Sequence, residues 1–237
     1  MSLRFEELDY CQTPIGALSL RRRWEFKLGV DVFEIKLGDE YLMSSLFTQS
    51  EIALARLALD GLAGDELNVV VGGLGLGFTA NAVLQNLGVG SLIVVEALEA
   101  IIGWHARGLV PLGTVLTGDP RCRLVHGDFF ALAASVEGFD SRTPGRRFRA
   151  ILVDIDHSPG SLLDPRHASF YQTEGLQQLA TKLCDGGVFG LWSNELPDDA
   201  FLARLRRVFA KARAEPVTFH NPLQDRPFTQ TIYLAQK

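Results

Sequence analysis

Residues 216–234 read PVTFHNPLQDRPFTQTIYL, which is two strand-like runs joined by a short loop. β-branched and aromatic residues predict strands over 216–220 and 228–234, and the two prolines between them mark a loop. A parallel pair of strands needs a crossover of about a dozen residues or more, and this loop has no room for one. The two last strands are therefore predicted to pair antiparallel.

Upstream of this hairpin, buried strands alternate with helices. Strands are predicted over 67–71, 91–95, 123–125, 150–153 and 187–192, and helices over 78–87, through Trp104 to about 107, over 170–183 and over 199–214. Such alternation is typical of a parallel sheet covered by helices on both faces. The sequence thus predicts an α/β fold with a doubly wound, mostly parallel seven-stranded sheet and an antiparallel C-terminal hairpin strand. This Rossmann-like architecture is that of the class I methyltransferases.

The first 47 residues follow another pattern. Short alternating runs over 15–20, 32–37 and 41–43, separated by glycine turns, predict a small N-terminal β-hairpin domain. Thr48, with Glu51 three residues later, is typical of a helix N-terminus. We therefore expect a β-domain over 1–47 and a cofactor-binding domain over 48–237.

Composition narrows the function classes. The 237 residues are 47% hydrophobic and 22% charged, and no apolar run is long enough to span a membrane, so a globular protein without a membrane partner is expected. Charged residues within 1–9 leave no secretory signal, which indicates a cytoplasmic location. The net charge of −5 disfavours a nucleic-acid partner, and three cysteines without C-x-x-C spacing suggest neither a disulfide framework nor a zinc cluster.

The turn after the first strand of the parallel sheet is rich in glycine. Gly72, Gly73, Gly75 and Gly77 permit a tight turn and a close approach of ligand to backbone, so we assign them to cofactor binding. The next predicted strand ends in Glu96, 19 residues beyond Gly77. An acid at this place is suited to accept hydrogen bonds from ribose hydroxyls, as in adenosine-binding doubly wound sheets.

A third feature of this site follows the predicted strand at 123–125. Asp128 is placed to accept from the adenine amino group, and Phe129 or Phe130 to pack on the ring, although Asp128 also suits a helix N-cap. Residues 75–80 also match G-x-G-x-x-A, the pattern of dinucleotide oxidoreductases. That alternative gives Asp128 no role and does not explain the C-terminal hairpin.

With these residues placed, the chain from about Gly16 to Trp192 resembles the spermidine/spermine synthase family. The matching stretches are LGDEY at 37–41, VVGG at 70–73, VVE at 94–96, HGD at 126–128, LVD at 152–154, FY at 170–171 and CDGGV at 184–188. The resemblance implies a small β-domain before a methyltransferase-like domain, S-adenosylmethionine or its decarboxylated form as cofactor, and possible homodimers. Family members transfer an aminopropyl group to a polyamine.

Three departures from the family pattern concern the reaction. Gly75 stands where the family usually has an aspartate for the donor's terminal amine, and Met43-Ser44-Ser45 replaces the usual Tyr-His-Glu. Asp154 retains the first aspartate after the fourth strand, whereas the second is displaced by one residue. These losses remove acidic and phenolic groups suited to a cationic donor and a diamine acceptor. They favour methyl transfer from intact S-adenosylmethionine to a small molecule.

Transfer from a sulfonium requires alignment of the acceptor and, if the acceptor is protonated, a base. We assign Asp154, Asp156 and His157 to catalysis, because they follow the fourth strand of a sheet whose ligands collect at the carboxyl ends. The same three residues are an alternative set of metal ligands, although no sure fourth ligand is present and no metal is expected. Residues assigned to the acceptor pocket are Glu40, Tyr171, Trp192 and Asn194.

Three functions remain open from the sequence. They are a small-molecule methyltransferase, an aminopropyltransferase, and a cofactor-binding protein without catalysis. All three place an S-adenosylmethionine-type cofactor at the glycine-rich turn, and the sequence does not identify the acceptor.

Overall fold

The computed structural model describes residues 4–62 and 64–237. An N-terminal antiparallel sheet comes first, with the strands in sequence order. Its strands are β1 (Phe5–Thr13), β2 (Gly16–Glu25), β3 (Val30–Leu37) and β4 (Glu40–Ser44). The sequence pattern did not predict β1, because residues 5–13 alternate polar and apolar side chains weakly. The strand pairs antiparallel with β2 along its length, and ion pairs such as Glu6 with Arg22 at 2.9 Å join the two strands. Its Leu8 and Cys11 side chains are partly buried against the core.

A seven-stranded sheet with helices on both faces forms the rest of the chain. In chain order its elements are α1 (Gln49–Leu59), β5 (Leu67–Gly72), α2 (Phe78–Leu84), β6 (Val89–Glu96), α3 (Glu99–Ala106), α4 (Gly113–Gly118), β7 (Cys122–His126), α5 (Phe129–Ala134), β8 (Phe148–Val153), α6 (Thr173–Thr181), β9 (Leu183–Ser193), α7 (Asp199–Val208), β10 (Lys211–Asn221) and β11 (Arg226–Gln236). The strand order is β10-β11-β9-β8-β5-β6-β7. Strands β5 to β9 run parallel, and β11 pairs antiparallel with both β9 and β10. The predicted fold class is confirmed.

Two hydrophobic cores cover the two faces of this sheet. Helices α1 to α4 pack on one face around Leu54, Val71 and Trp104, and helices α5 to α7 pack on the other around Phe129, Phe189 and other aromatic side chains. No helix within residues 4–62 and 64–237 is both long and apolar enough to cross a membrane.

The final helix is shorter than predicted. The pattern predicts a helix over 199–214, but α7 ends at Val208 and β10 begins at Lys211. Side chains of Ala212 and Ala214 pack against the second core, and β10 pairs with β11 along its whole length. Strand pairing therefore overrides the high helix propensity of alanine and arginine in this segment.

The strand order reverses direction between β5 and β8. From β5 the chain moves outward to β6 and β7, and then returns to the other side of β5 as β8. Ligands of open α/β sheets bind in the crevice outside the carboxyl ends of the strands at such a switch point. In this protein the residues at that point are Gly72 and Asp154, joined by the hydrogen bond that the Asp154 amide donates to the Gly72 carbonyl at 2.9 Å.

Candidate functional site

A cavity of about 760 Å³ opens at the carboxyl ends of the parallel strands. The N-terminal sheet, α1 and the β10–β11 hairpin close its other side. It is lined by nine of the residues assigned from the sequence: Gly73, Gly75, Glu96, Asp128, Phe129, Asp154, His157, Trp192 and Asn194. The remaining five, Gly72, Gly77, Asp156, Tyr171 and Glu40, are not in the lining. The structure thus brings most of the assigned residues to one cavity.

The glycine-rich turn adopts backbone conformations that favour glycine. Gly73 has φ +90°, and a Cβ atom there would lie 2.1 Å from the Asp154 carbonyl oxygen, so the close contact between β5 and β8 requires glycine. Gly75 has φ +47°, and a Cβ atom there would lie 2.5 Å from Met43 Sδ. The Leu76 amide also donates to this sulfur at 2.9 Å. Met43 thus packs against the turn at the position where the resembling family carries an aspartate.

His105 on α3 supports the same turn. Its Nε2 lies 2.9 Å from the Gly75 carbonyl oxygen, and its ring is fully buried. Burial lowers the pKa of His105, which favours the neutral ring donating from Nε2 to that carbonyl. The sequence pattern gave no indication of this role, because His105 lies in an apolar helix remote from the glycines.

Glu96 lies at the end of β6 and is only 8% exposed. Its Oε2 accepts from the Leu74 amide at 2.9 Å and its Oε1 from the Leu98 amide at 2.8 Å. Burial raises the pKa of this carboxyl, and the backbone hydrogen bonds act in the opposite direction. Each carboxylate oxygen retains a second lone pair, so the group can accept hydrogen bonds from a ligand in the cavity.

Glu96→Gln is expected to weaken binding of S-adenosylhomocysteine about 30-fold, because an amide offers the two ribose hydroxyls one acceptor in place of two. Isothermal titration calorimetry measures this change. Glu99→Gln is the matched control, since Glu99 is an exposed acid on the following helix that lies outside the cavity lining. Equal affinities for wild type and Glu96→Gln would contradict the assignment of Glu96 to ribose.

Asp128 caps α5 and still faces the cavity. Its Oδ1 accepts from the Phe130 and Ala131 amides at 2.9 and 3.1 Å. Its Oδ2 takes no hydrogen bond from the part of the chain that the structure describes, so the two roles considered from the sequence are compatible. Phe129 is 2% exposed and packs into the core, where its ring would meet a Cβ atom on Gly72 at 2.5 Å. Phe130 presents the more accessible ring at this end of the cavity.

Asp156 and Tyr171 act behind the cavity wall. The Tyr171 hydroxyl donates to Asp156 Oδ2 at 2.8 Å, and His167 Nδ1 lies 3.0 Å from Asp156 Oδ1. The His167 ring stacks on Phe130 with centroids 4.0 Å apart and lines the cavity. Asp156, assigned to catalysis, therefore holds His167, and Tyr171, assigned to the acceptor, holds Asp156. Neither residue lines the cavity. His167 was missed because it lies 11 residues beyond Asp156, in a short 3₁₀ helix over Pro165–Ser169 that has no recognisable motif.

Of the residues assigned to catalysis, Asp154 and His157 line the cavity, and Asp154 follows β8 directly at the switch point of the sheet. Its Oδ2 accepts from the Thr79 hydroxyl on α2 at 2.7 Å. Burial raises the pKa of Asp154 to about 6, although the Thr79 hydrogen bond opposes the shift. A carboxyl with a pKa near neutrality is suited to accept and release a proton.

Glu51 is a second buried carboxyl in the same cavity, and the sequence analysis missed it. Burial raises the pKa of Glu51 to about 7, and the negative charge of Asp154 adds to this shift. The sequence pattern suggested only that Glu51 begins a helix; α1 does begin at Gln49, but Thr48 makes no side-chain cap hydrogen bond. Glu51 faces the cavity instead. A local sequence motif does not reveal that two acids on different elements lie close together.

The hydrogen bonds around Ser50 fit a protonated Glu51. The Ser50 hydroxyl lies 2.7 Å from Glu51 Oε2 and 2.6 Å from Gln230 Oε1, and it accepts from Trp192 Nε1 at 2.9 Å. A serine hydroxyl has one proton to donate, so it serves only one of the two acceptors at a time. If Glu51 carries a proton and donates it to Ser50, Ser50 donates to Gln230 and every contact is satisfied.

The three residues considered as metal ligands contact separate sets of partners. Asp154 contacts Thr79, Asp156 contacts His167 and Tyr171, and His157 Nε2 lies 2.8 Å from Glu40 Oε1. This last contact explains the position of Glu40, which is exposed and supports His157 from outside the cavity. Within the described residues, no three His, Cys, Asp or Glu side chains form a group that could hold a metal ion.

No family model and no curated protein sequence matches this chain. Its fold, however, is similar to several solved structures. The spermidine synthase of Thermotoga maritima is 18% identical, with a TM-score of 0.70, and the match covers 98% of this chain and 72% of that one. A spermidine synthase in complex with the transition state analogue AdoDATO is also 18% identical, with a TM-score of 0.72, 98% of this chain and 73% of that chain being covered.

Human methyltransferase-like protein 13, solved in complex with SAH, is 22% identical with a TM-score of 0.52. That match covers 79% of this chain and 78% of the human chain. The chain therefore has the fold shared by spermidine synthases and class I methyltransferases, and the match to the synthases extends over the N-terminal sheet.

Proposed function

We propose that this chain is a transferase that binds S-adenosylmethionine, or a close relative, and transfers its methyl group to a small-molecule acceptor. The observation that carries the proposal is the composition of one cavity. Glu96, Asp128 and the glycine turn line one end, and the buried carboxyls of Asp154 and Glu51 lie beyond them toward the hairpin. A nucleoside site thus adjoins a proton-accepting site at the switch point of the sheet.

The residues present fit such a cofactor. Glu96 offers acceptors for ribose hydroxyls, Asp128 Oδ2 offers an acceptor for an amino group, and Phe130 and His167 offer stacked rings beside it. When bound, the sulfonium supplies an electrophilic carbon. Asp154 would then orient the acceptor and take its proton at the carboxylate, while the N-terminal sheet excludes water from the cavity.

Methyl transfer is favoured over aminopropyl transfer by the glycine turn. A carboxylate at position 75 would hold a cationic amine tail, but this position is glycine and the adjoining space contains Met43. The turn therefore presents no negative charge to oppose the carboxylate-bearing tail of intact S-adenosylmethionine.

Aminopropyl transfer is the second candidate. Two observations favour it: the similarity to spermidine synthases covers 98% of this chain, and Glu51 and Asp154 form an acidic pair suited to an amine. In this second hypothesis the donor is the decarboxylated cofactor, and Glu51 replaces the aspartate that the glycine turn lacks.

Calorimetric titration of the purified protein with S-adenosylmethionine, its decarboxylated form and NAD distinguishes methyl transfer from aminopropyl transfer. We expect S-adenosylmethionine to bind at least tenfold more tightly than the decarboxylated form. The reverse preference would support aminopropyl transfer. Binding of NAD alone would overturn the proposal and restore the dinucleotide alternative.

A further inference from the structure

The part of the cavity beyond Asp154 has walls different from those of the nucleoside end. We call it the acceptor half. It is defined by the lining residues of the β1–β2 turn, β3, β4, the segment between β4 and α1, α1, the end of β9 and the β10–β11 hairpin, together with Asp154 after β8. It includes Glu51 and Trp192 at its inner end and the aromatic rings of Phe47, Phe219 and Phe228 farther out. These residues come from elements distant in sequence, so no motif describes them.

The acceptor half contains one concentration of negative charge. Among its lining residues in the described chain, Glu51 and Asp154 are the only carboxylates; Glu96, Asp128 and Asp164 line the nucleoside end. Within the described residues the pair has no basic side chain as a partner. Burial raises both pKa values, and the negative charge of Asp154 adds to the shift of Glu51. A cationic amine would offset the negative charge of the two carboxylates and so favour their ionised forms. The inner end therefore suits one ammonium group.

Along one face of the hairpin the side chains change from polar to aromatic to basic. Side chains two residues apart on a strand share a face, so Gln230, Phe228 and Arg226 follow one another outward from the carboxyl pair. Gln230 joins the inner network through Ser50, and Phe228 pairs with Phe219, whose ring stacks on Phe47 with centroids 5.8 Å apart. The middle of the acceptor half is aromatic.

The outer end of this face carries a positive charge. Arg226 lies about 13 Å along the strand from Gln230 and donates from Nε to Gln224 Oε1 at 2.8 Å. It forms no ion pair within residues 4–62 and 64–237. The acid next to it in the chain, Asp225, lies 3.4 Å from His220. A second ammonium group at this distance would meet Arg226 without a carboxylate partner.

We propose that the acceptor is a molecule with one amine and a flat apolar body, whose far end is neutral or anionic. Its amine would lie at Glu51 and Asp154, its body between the Phe47, Phe219 and Phe228 rings, and its far end near Arg226. The inference rests on the proposed function, because that function assigns this half of the cavity to the acceptor. It excludes linear diamines as preferred ligands, because a short diamine places its second ammonium group among the aromatic rings, where no carboxylate lines the cavity, and a long one places it near Arg226.

The test is calorimetric titration at pH 8 with three probes, each with and without saturating S-adenosylhomocysteine. The probes are 2-phenylethylamine, n-butylamine and 1,4-diaminobutane. We expect 2-phenylethylamine to bind at least tenfold more tightly than either aliphatic amine. Wild-type protein that binds 1,4-diaminobutane as tightly as 2-phenylethylamine, or more tightly, would overturn the inference.

Two variants assign the preference to the hairpin. Phe228→Ala is expected to weaken the binding of 2-phenylethylamine about tenfold and to leave the affinity for n-butylamine within twofold of wild type, because only the aromatic probe contacts the ring. Arg226→Glu is expected to strengthen the binding of 1,4-diaminobutane about threefold. Arg213→Glu, at an exposed position of β10 outside the cavity lining, is expected to leave this affinity unchanged. Equal responses of the Arg226 and Arg213 variants would contradict the placement of the far end.

The two proposals fail in different ways. Absence of S-adenosylhomocysteine binding would overturn the proposed function, while the amine preference is still measured in the titrations without it. Binding of S-adenosylhomocysteine together with a preference for the diamine would overturn only the acceptor inference and favour aminopropyl transfer.

Discussion

Asp154→Asn is expected to reduce turnover about a thousandfold while S-adenosylhomocysteine affinity stays within threefold of wild type. Asparagine is nearly isosteric and retains an oxygen that can accept from the Thr79 hydroxyl, which lies 2.7 Å from Asp154 Oδ2. It cannot take a proton, and a positioned general base contributes roughly 10²- to 10⁴-fold to a rate. Because the variant also removes a buried charge, it is expected to fold at least as stably as wild type at pH 8.

The measurement is formation of S-adenosylhomocysteine from S-adenosylmethionine with 2-phenylethylamine as acceptor, beside a binding titration of the same sample. Asp39→Asn is the matched control, since Asp39 is an exposed acid in the β3–β4 turn outside the cavity lining. Full activity in Asp154→Asn would contradict the role of Asp154. Wild-type protein that binds the cofactor but turns over no amine of the panel would favour binding without catalysis.

The parallel sheet and the nucleoside end were predictable because their signals are local. A glycine turn between Val71 and Phe78 and an acid at the end of the next strand are fixed by strand–turn–helix geometry. The antiparallel end of the sheet followed from a loop too short for a crossover. In each case a few neighbouring residues determine the backbone path, and the backbone path then places the side chain.

The acceptor half was not predictable in the same way. Glu51 and Asp154 are 103 residues apart in sequence, and their proximity depends on α1 packing over the switch point. The aromatic side chains of Phe47 and Phe219 meet only because the hairpin lies over the segment before α1. Strand β1 was not predicted because its pairing with β2, its ion pairs and the Trp104 hydrogen bond to Asp9 are contacts between residues distant in sequence. Long-range packing brings these groups together.

The buried carboxyl pair also predicts how stability depends on pH. Folding raises the pKa of Glu51 from an ordinary 4.5 to about 7, and that of Asp154 from 3.8 to about 6. Between about pH 4 and 7 the folded protein therefore holds protons that the unfolded chain has released. The unfolding free energy contributed by this pair is fully present below the unfolded values and falls as pH rises through this window. Above about pH 7 the loss is complete.

Glu51→Gln is expected to make the unfolding free energy less dependent on pH and to raise it at pH 8 by about 2 kcal/mol. A shift of one pKa unit corresponds to about 1.4 kcal/mol, and Glu51 and Asp154 together bear the cost of ionisation. Glutamine Nε2 can donate to the Ser50 hydroxyl as a protonated Glu51 does, while carrying no charge beside Asp154. Urea unfolding at pH 5 and pH 8 measures the effect, with Glu99→Gln as an exposed control of the same chemistry. If the unfolding free energy differs between pH 5 and pH 8 by the same amount in the variant and in wild type, Glu51 is not the group whose ionisation opposes folding.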